Sequence, residues 1–254
     1  MGILDGKNIL ITGVLSYSSI AFEIARTAQA EGAEVVLTSY GRRSLVERVA
    51  ARLPEPPPVV DLDVTDTAQL DALAERVGVH LDGLDGVVHA IAFAPPGALG
   101  GEFLRTSWDD AATTFQVSAF SLQALTGAVQ PLLRDGASIV ALDYDEGGAS
   151  PGYDWMGVAK SGLESCARYL AHYLGPRAVR VNLVAAGPLR TVASSHIPGF
   201  GDSLADWDER APLGWRPDGH ALVARACTAL LSDWFGATTG EIVHVDGGRH
   251  AMGG

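Results

Sequence analysis

The chain has 254 residues, which suits one large α/β unit with a full core and is too long for a small module. Its 18 basic against 30 acidic residues leave a formal charge of −12, which argues against nucleic acid as a partner. Apolar residues make up 47%, yet no apolar run approaches the length of a membrane span, so no membrane association is expected.

The start, Met1-Gly-Ile-Leu-Asp-Gly-Lys7, lacks the regions of a signal peptide and leads into the short apolar run Asn8–Thr12, which ends at Gly13. Apolar residues then recur at helical spacing over Ile20–Ala28, and Glu34–Thr38 reads as the next strand. Pro54 to Pro58 is a stiff connection within one unit rather than a linker. Val59–Asp63 reads as a strand, Ala68–Val77 as an amphipathic helix and Gly86–Ala92 as a strand. Trp108–Pro131 reads as mostly helical, Ala137–Leu142 as a strand, and Tyr153–Leu174 as a long helix stopped by Gly175-Pro176. Val179–Val184 is a strand, His220–Leu231 a helix and Glu241–Val245 the last strand. The strands are continuous aliphatic runs, as expected when both faces are buried. Their alternation with helices predicts a single doubly wound, Rossmann-like α/β domain over residues 1–254, with a seven-stranded parallel sheet flanked by helices. The long irregular stretch from Gly187 to Gly219 is of a length that is usually functional, and Ser203–Asp208 is a candidate short helix within it. Cys166 and Cys227 lie in helical contexts and read as small core residues, which fits a reducing cytoplasm better than a disulfide framework.

Ligands of such sheets bind beyond the carboxyl ends of the strands. The first such end, Thr12-Gly-Val-Leu-Ser-Tyr-Ser-Ser-Ile20, has one glycine and serines in place of the later glycines. Gly13 permits a tight turn, and Ser18 or Ser19 can cap a helix whose free N–H groups, starting at Ile20, favour a pyrophosphate. By itself the turn serves equally as an ordinary capped connection. The second strand ends without the acidic residue that holds the 2′-hydroxyl of NAD. Tyr40 is placed to pack on adenine, and Arg42 and Arg43 either meet a 2′-phosphate, which would admit NADPH, or sit in solvent. Asp63 and Val64 are placed to grip the adenine, or Asp63 caps the next helix with Thr65.

Tyr153 and Lys160 stand seven residues apart, about two helical turns, so an uninterrupted helix presents a phenol and an ammonium on one face. Read alone, Tyr153 is a core aromatic and Lys160 a surface lysine. Together with Met156, the serine-bearing first loop, Asp63-Val64, the run Val181-Asn-Leu-Val-Ala-Ala-Gly-Pro-Leu-Arg-Thr191 and the end Thr239-Gly-Glu-Ile-Val-His-Val-Asp-Gly-Gly248, they form one ordered pattern. From Gly6 to Gly248 the chain closely resembles the bacterial NADH-dependent enoyl-acyl-carrier-protein reductases of the short-chain dehydrogenase/reductase superfamily. Most of that superfamily space Tyr and Lys four apart; the longer gap with Met inside it is characteristic of the enoyl reductases.

The resemblance implies reduction of the 2,3 double bond of a trans-2-enoyl thioester, on acyl carrier protein or CoA, by hydride from NADH in fatty acid or related acyl-chain biosynthesis. Hydride added to the β-carbon leaves negative charge on the thioester oxygen, and a phenol in reach stabilises it. A free tyrosine titrates near 10, so a nearby ammonium must favour the phenolate if Tyr153 is also to give up its proton. The resemblance assigns the nicotinamide ribose to Lys160, and a substrate-side position to Tyr144, which shapes hydride-transfer geometry or serves as a wall. It also places Gly187, Pro188, Leu189 and Thr191 on the nicotinamide and pyrophosphate. It implies a substrate-covering loop at about 190–217 with Ile197, Pro198, Phe200 and Leu204 as its apolar face, short enough to suggest short or medium acyl chains. Phe93 and Met156 join the substrate-side residues. The family is usually a homotetramer, with the helix from Trp108 and the last strand as contacts, and an acidic carrier would dock on a local basic patch around Arg190, Arg210 or Arg216.

At the end of the fourth strand the chain departs from the family. Ala90, Ile91 and Ala92 lie where the cofactor's ribose and nicotinamide belong, but the family has Ser in place of Ala90 and Gly in place of Ala92. The change fits a paralogue acting on a different enoyl, carbonyl or imine substrate in secondary metabolism.

Overall fold

The computed structural model describes residues 1–144, 147–197 and 199–252. Seven strands form one parallel sheet in the order β3-β2-β1-β4-β5-β6-β7. They are β1 (Asn8–Ile11), β2 (Glu34–Ser39), β3 (Val59–Asp61), β4 (Leu84–His89), β5 (Leu133–Asp143), β6 (Arg180–Ala186) and β7 (Ile242–Val245). The helices are α1 (Ile20–Ala30), α2 (Arg43–Ala50), α3 (Thr67–Asp71), α4 (Leu73–Gly78), α5 (Trp108–Phe115), α6 (Ser121–Val129), α7 (Asp154–Leu174), α8 (Phe200–Arg210) and α9 (His220–Leu231).

Alternate residues of each strand feed two separate cores. Ile9 and Ile11 of β1 pack with Ile24 of α1, Val49 of α2 and Val223 and Cys227 of α9. Leu10 faces the other way, among Leu73 of α4, Leu122 and Leu125 of α6, and Leu163 of α7. A sheet covered by helices on both faces explains why its strands are aliphatic throughout. β1 pairs with β2 on one side and β4 on the other, so the strand order reverses there and a crevice opens beyond the strand ends.

Several boundaries differ from the periodicity. The third strand stops at Asp61, and the helix expected over Ala68–Val77 is two short ones meeting at Ala72. The fifth strand extends over Leu133–Asp143, longer than its apolar run, because Leu133 pairs with Leu84 of β4 at one end and Asp143 with Ala185 of β6 at the other. The helical stretch from Trp108 is broken by a π-helical turn, Gln116–Phe120. The helix inside the irregular stretch spans Phe200–Arg210, longer than Ser203–Asp208. Among the described residues no helix is long and apolar enough to cross a membrane. Both cysteines are free thiols, and burial pushes the Cys227 thiol up to about 12.

Candidate active site

A cavity of about 310 Å³ lies at the strand-order reversal. It is lined from the ends of β1 (Gly13, Leu15, Ser16), β4 (Ala90, Ile91, Ala92), β5 (Leu142, Asp143, Tyr144) and β6 (Ala186 to Leu189). Ser19 and Ile20 of the α1 start, Tyr153 and Lys160, and Thr191 to Ser194 add to it.

Gly13 sits at φ +83, and a Cβ there would lie 2.0 Å from the Ala90 carbonyl oxygen, so only glycine lets these two strand ends approach. Thr12 Oγ1 ties them further by accepting from the Ala90 amide at 3.1 Å. Ser19 caps α1: its hydroxyl accepts from the Phe22 amide at 3.2 Å and donates to the Ser16 carbonyl at 2.8 Å. The first turn of α1 therefore faces the cavity with free N–H groups.

Lys160 is only 6% exposed, and its Nζ donates to the Leu142 carbonyl at 2.8 Å. Burial lowers its pKa from the usual lysine value, and the neighbouring Asp143, itself buried, works in the opposite direction. His89, at the end of the neighbouring strand β4, is completely buried with Nε2 2.7 Å from Ser121 Oγ. That hydroxyl gives its proton to the Val117 carbonyl at 2.6 Å, so Nε2–H is the donor in the pair and Nδ1 is unprotonated. Burial, reinforced by the Lys160 ammonium, holds the imidazole pKa down to about 3, and the ring is neutral.

Tyr153 and Tyr144 meet edge to face at 5.0 Å between ring centres, and Tyr144 continues to the Trp207 ring at 5.8 Å. α7 begins at Asp154, so Tyr153 is its cap residue rather than part of its first turn. The two side chains thus share the cavity without sharing an uninterrupted helical face. Below them, Gly187 donates to the Val245 carbonyl at 3.0 Å, and the Trp215 indole donates to the Pro188 carbonyl at 2.8 Å. Trp207 donates to the Asp246 carbonyl at 2.9 Å. A Cβ on Gly187 would come within 2.7 Å of Trp215, so the strap rests directly on the two indoles.

Ile197 and Phe200 line the cavity, Leu204 of α8 stands outside its lining, and Pro198 lies outside the described residues. Tyr40, Asp63, Val64, Phe93 and Met156 are not among the lining residues. Tyr40 stands 68% exposed at the end of β2, and Met156 is buried in α7. Asp63 accepts from the amide and hydroxyl of Thr65, while the cap of α3 is Asp66; Val64 faces the core. Phe93 projects outward while Ser118 of the π turn both donates to its carbonyl and accepts from its amide, at 3.0 Å each. Arg43 pairs with Glu47 at 2.8 Å and lies 3.9 Å from Asp61. Arg210 lies 3.6 Å from Asp206 and Arg216 3.4 Å from Asp218, which leaves little of a basic patch beyond the exposed Arg190. The sequence reading missed Asp143, His89 and Ser118, each of which acquires its neighbour only when distant segments meet.

This cradle fits a dinucleotide: a glycine-tight strand turn, a capped helix start and a buried cation converge on one crevice at the reversal. Fold and Tyr–Lys pair together define a short-chain dehydrogenase/reductase. A sequence model of the family described as Enoyl-(Acyl carrier protein) reductase matches residues 13–250, and the chain belongs to that family. It is 45% identical to the enoyl-[acyl-carrier-protein] reductase [NADH] of Mycolicibacterium smegmatis over 97% of each chain. It is 42% identical to that of Neisseria meningitidis over 98% of this chain and 96% of the relative, and 38% identical to that of Bacillus subtilis over 97% of each.

Proposed function

We propose that the protein reduces the 2,3 double bond of a trans-2-enoyl thioester, presented on acyl carrier protein or CoA, with NADH, in fatty acid or related acyl-chain biosynthesis. The observation that carries the reading is the convergence of Tyr153 and Lys160 on one cavity at the strand-order reversal, in a chain of this family. The bound cofactor supplies the hydride. Gly13, Ser19 and Ile20 receive its diphosphate, Ala90 to Ala92 and the Gly187–Thr191 strap flank its nicotinamide half, and Lys160 holds its ribose. Beyond the cavity lining, Tyr40, the Asp63 carboxylate and the Val64 backbone amide would hold the adenine. Tyr153 donates to the thioester oxygen as negative charge gathers there, and the buried ammonium of Lys160 favours the developing phenolate. Tyr144 and Ile197 bound the acyl side, while Phe93 and Met156, outside the lining, would reach the acyl chain only once it extends beyond the cavity. NADH over NADPH is supported by the relatives, which are named for NADH.

Residues 1–254 act as one reductase domain whose cover is the segment from about 190 to 217. A homotetramer is supported by apolar side chains left exposed on α5 and α7, among them Trp108, Phe115, Tyr169 and Tyr173. Two free thiols fit a cytoplasmic setting. The test is consumption of NADH, with NADPH in parallel, on mixing with trans-2-enoyl thioesters of graded length. Turnover with NADH is expected. No turnover of any enoyl thioester, beside reduction of a ketone or imine, overturns the reading in favour of the altered paralogue that Ala90 and Ala92 suggest.

A further inference from the structure

Two non-glycine residues among those described have positive φ, Ala178 and Asp154. Ala178 closes the turn after α7. Asp154, at φ +45, directly follows Tyr153. The left-handed region costs an L-residue about 1–2 kcal/mol, and Asp is among the side chains that tolerate it best. A strained residue of this kind persists only where its surroundings hold it.

The surroundings here are the loop that leaves β4. Asp154 Oδ2 accepts from the Gly101 amide at 2.6 Å. The Gly100 amide donates to the Gly152 carbonyl at 2.9 Å. Gly100 and Gly101 are themselves at φ +93 and +94, a conformation open to glycine that points both amides at the α7 start. One residue further, the Trp155 ring stacks on Phe103 at 5.4 Å with planes 17° apart. Residues on both sides of Tyr153 are thus tied to a segment of the β4 loop. A helical Asp154 would draw Tyr153 into the first turn of α7 and swing its ring with the helix.

We propose that Asp154 is a positioning residue: its left-handed turn, clamped to Gly101, aims the Tyr153 phenol into the cavity independently of α7. This rests on the reading of Tyr153 as the group that meets the substrate oxygen. The consequence is that the Gly100–Phe103 stretch of the β4 loop, which is absent from the cavity lining, sets the geometry of catalysis.

Three variants separate the parts. Asp154→Asn keeps both the tolerance of positive φ and an acceptor for Gly101. Asp154→Gly keeps the conformation and loses the clamp, and Asp154→Ala loses both. The measurements are kcat and KM with a trans-2-enoyl thioester, NADH affinity by fluorescence titration, and the thermal midpoint. The expected kcat is within about threefold of wild type for Asn, lower by about tenfold for Gly and by about a hundredfold for Ala, since small misplacements of a reacting group cost about that much. NADH affinity should stay unchanged in all three. An Ala variant with wild-type kcat, an Asn variant as slow as Ala, or a loss of NADH affinity matching the loss of kcat overturns the proposal. Should Asp154→Ala fail to fold, Asp154→Gly decides: a lowered kcat supports the clamp and a wild-type kcat overturns it. Tyr153→Phe is run beside them. Full activity there removes the reading of Tyr153, whereas a slow Tyr153→Phe with an unaffected Asp154→Ala removes only the positioning role.

Discussion

Lys160 gives up nearly all its water and recovers part of that cost from the Leu142 carbonyl and from Asp143 nearby. A lysine placed at such expense beside Tyr153 is better suited to hold a ligand and tune a phenol than to stabilise a helix. Tyr153→Phe should lower kcat by roughly 10²–10³, the usual effect of losing one donor to a developing oxyanion, with little change in NADH affinity. Lys160→Ala should chiefly raise KM for NADH. Equal, small effects of both in steady-state kinetics would remove these roles. Ala92 lines the cavity and is not at positive φ, so what its alanine adds is a methyl group toward the cofactor rather than backbone strain. Ala92→Gly is therefore expected to tighten NADH, read by fluorescence titration, and unchanged or weaker affinity counts against it. The Tyr–Lys spacing was legible in the chain because both residues belong to one local segment. Asp143 and His89 were not, since their bearing on Lys160 comes from neighbouring strands.

Local chemistry sets the ends of the elements better than periodicity does. The serine signal before α1 becomes a cap on Ser19, and Ser19→Ala should cost about 1 kcal/mol in a urea titration and weaken NADH as the α1 start frays. A stability loss without any change in NADH affinity would separate α1 from the diphosphate. The π turn between α5 and α6 shows the opposite case. Nothing in the apolar spacing of Trp108–Pro131 signals an extra residue in the turn. Yet that turn carries Ser118, which clasps the backbone of Phe93, and leads into Ser121, which receives His89. Turns of this kind recur at functional sites because tertiary contacts outweigh the local preference for regular helix.

Across the whole molecule, His89 links the site to acid stability. Its pKa is 6.5 in the open chain and about 3 when folded, so the unfolded state takes up the proton first as pH falls. Its contribution is complete above the unfolded value and is lost as pH drops toward the folded one, at about 1.4 kcal/mol per pH unit. Wild-type stability should fall by about 2 kcal/mol more between about pH 7 and 5 than that of His89→Gln, measured by urea midpoints. Parallel slopes would exclude His89 as the source. At the same scale, the proposed tetramer predicts a native mass four times the 26.5 kDa chain by light scattering, and a monomer or dimer would refute it.

The alternation of aliphatic runs with amphipathic helices was enough to define the doubly wound sheet, because strand and helix periods are local and both faces of the sheet are buried. The same held for the Tyr–Lys pair, the serine cap and the motifs of the enoyl reductase family. Tertiary structure alone decided which residues share the cavity. Tyr144 met Tyr153 and Trp207, while Met156 and Phe93 turned away from the lining and Arg43 turned to Glu47. It also placed Tyr153 outside its helix, on a turn held by Gly101, 53 residues before Asp154 in the chain. A contact across that separation depends on how the β4 loop folds back over α7, and no window of sequence contains both of its partners.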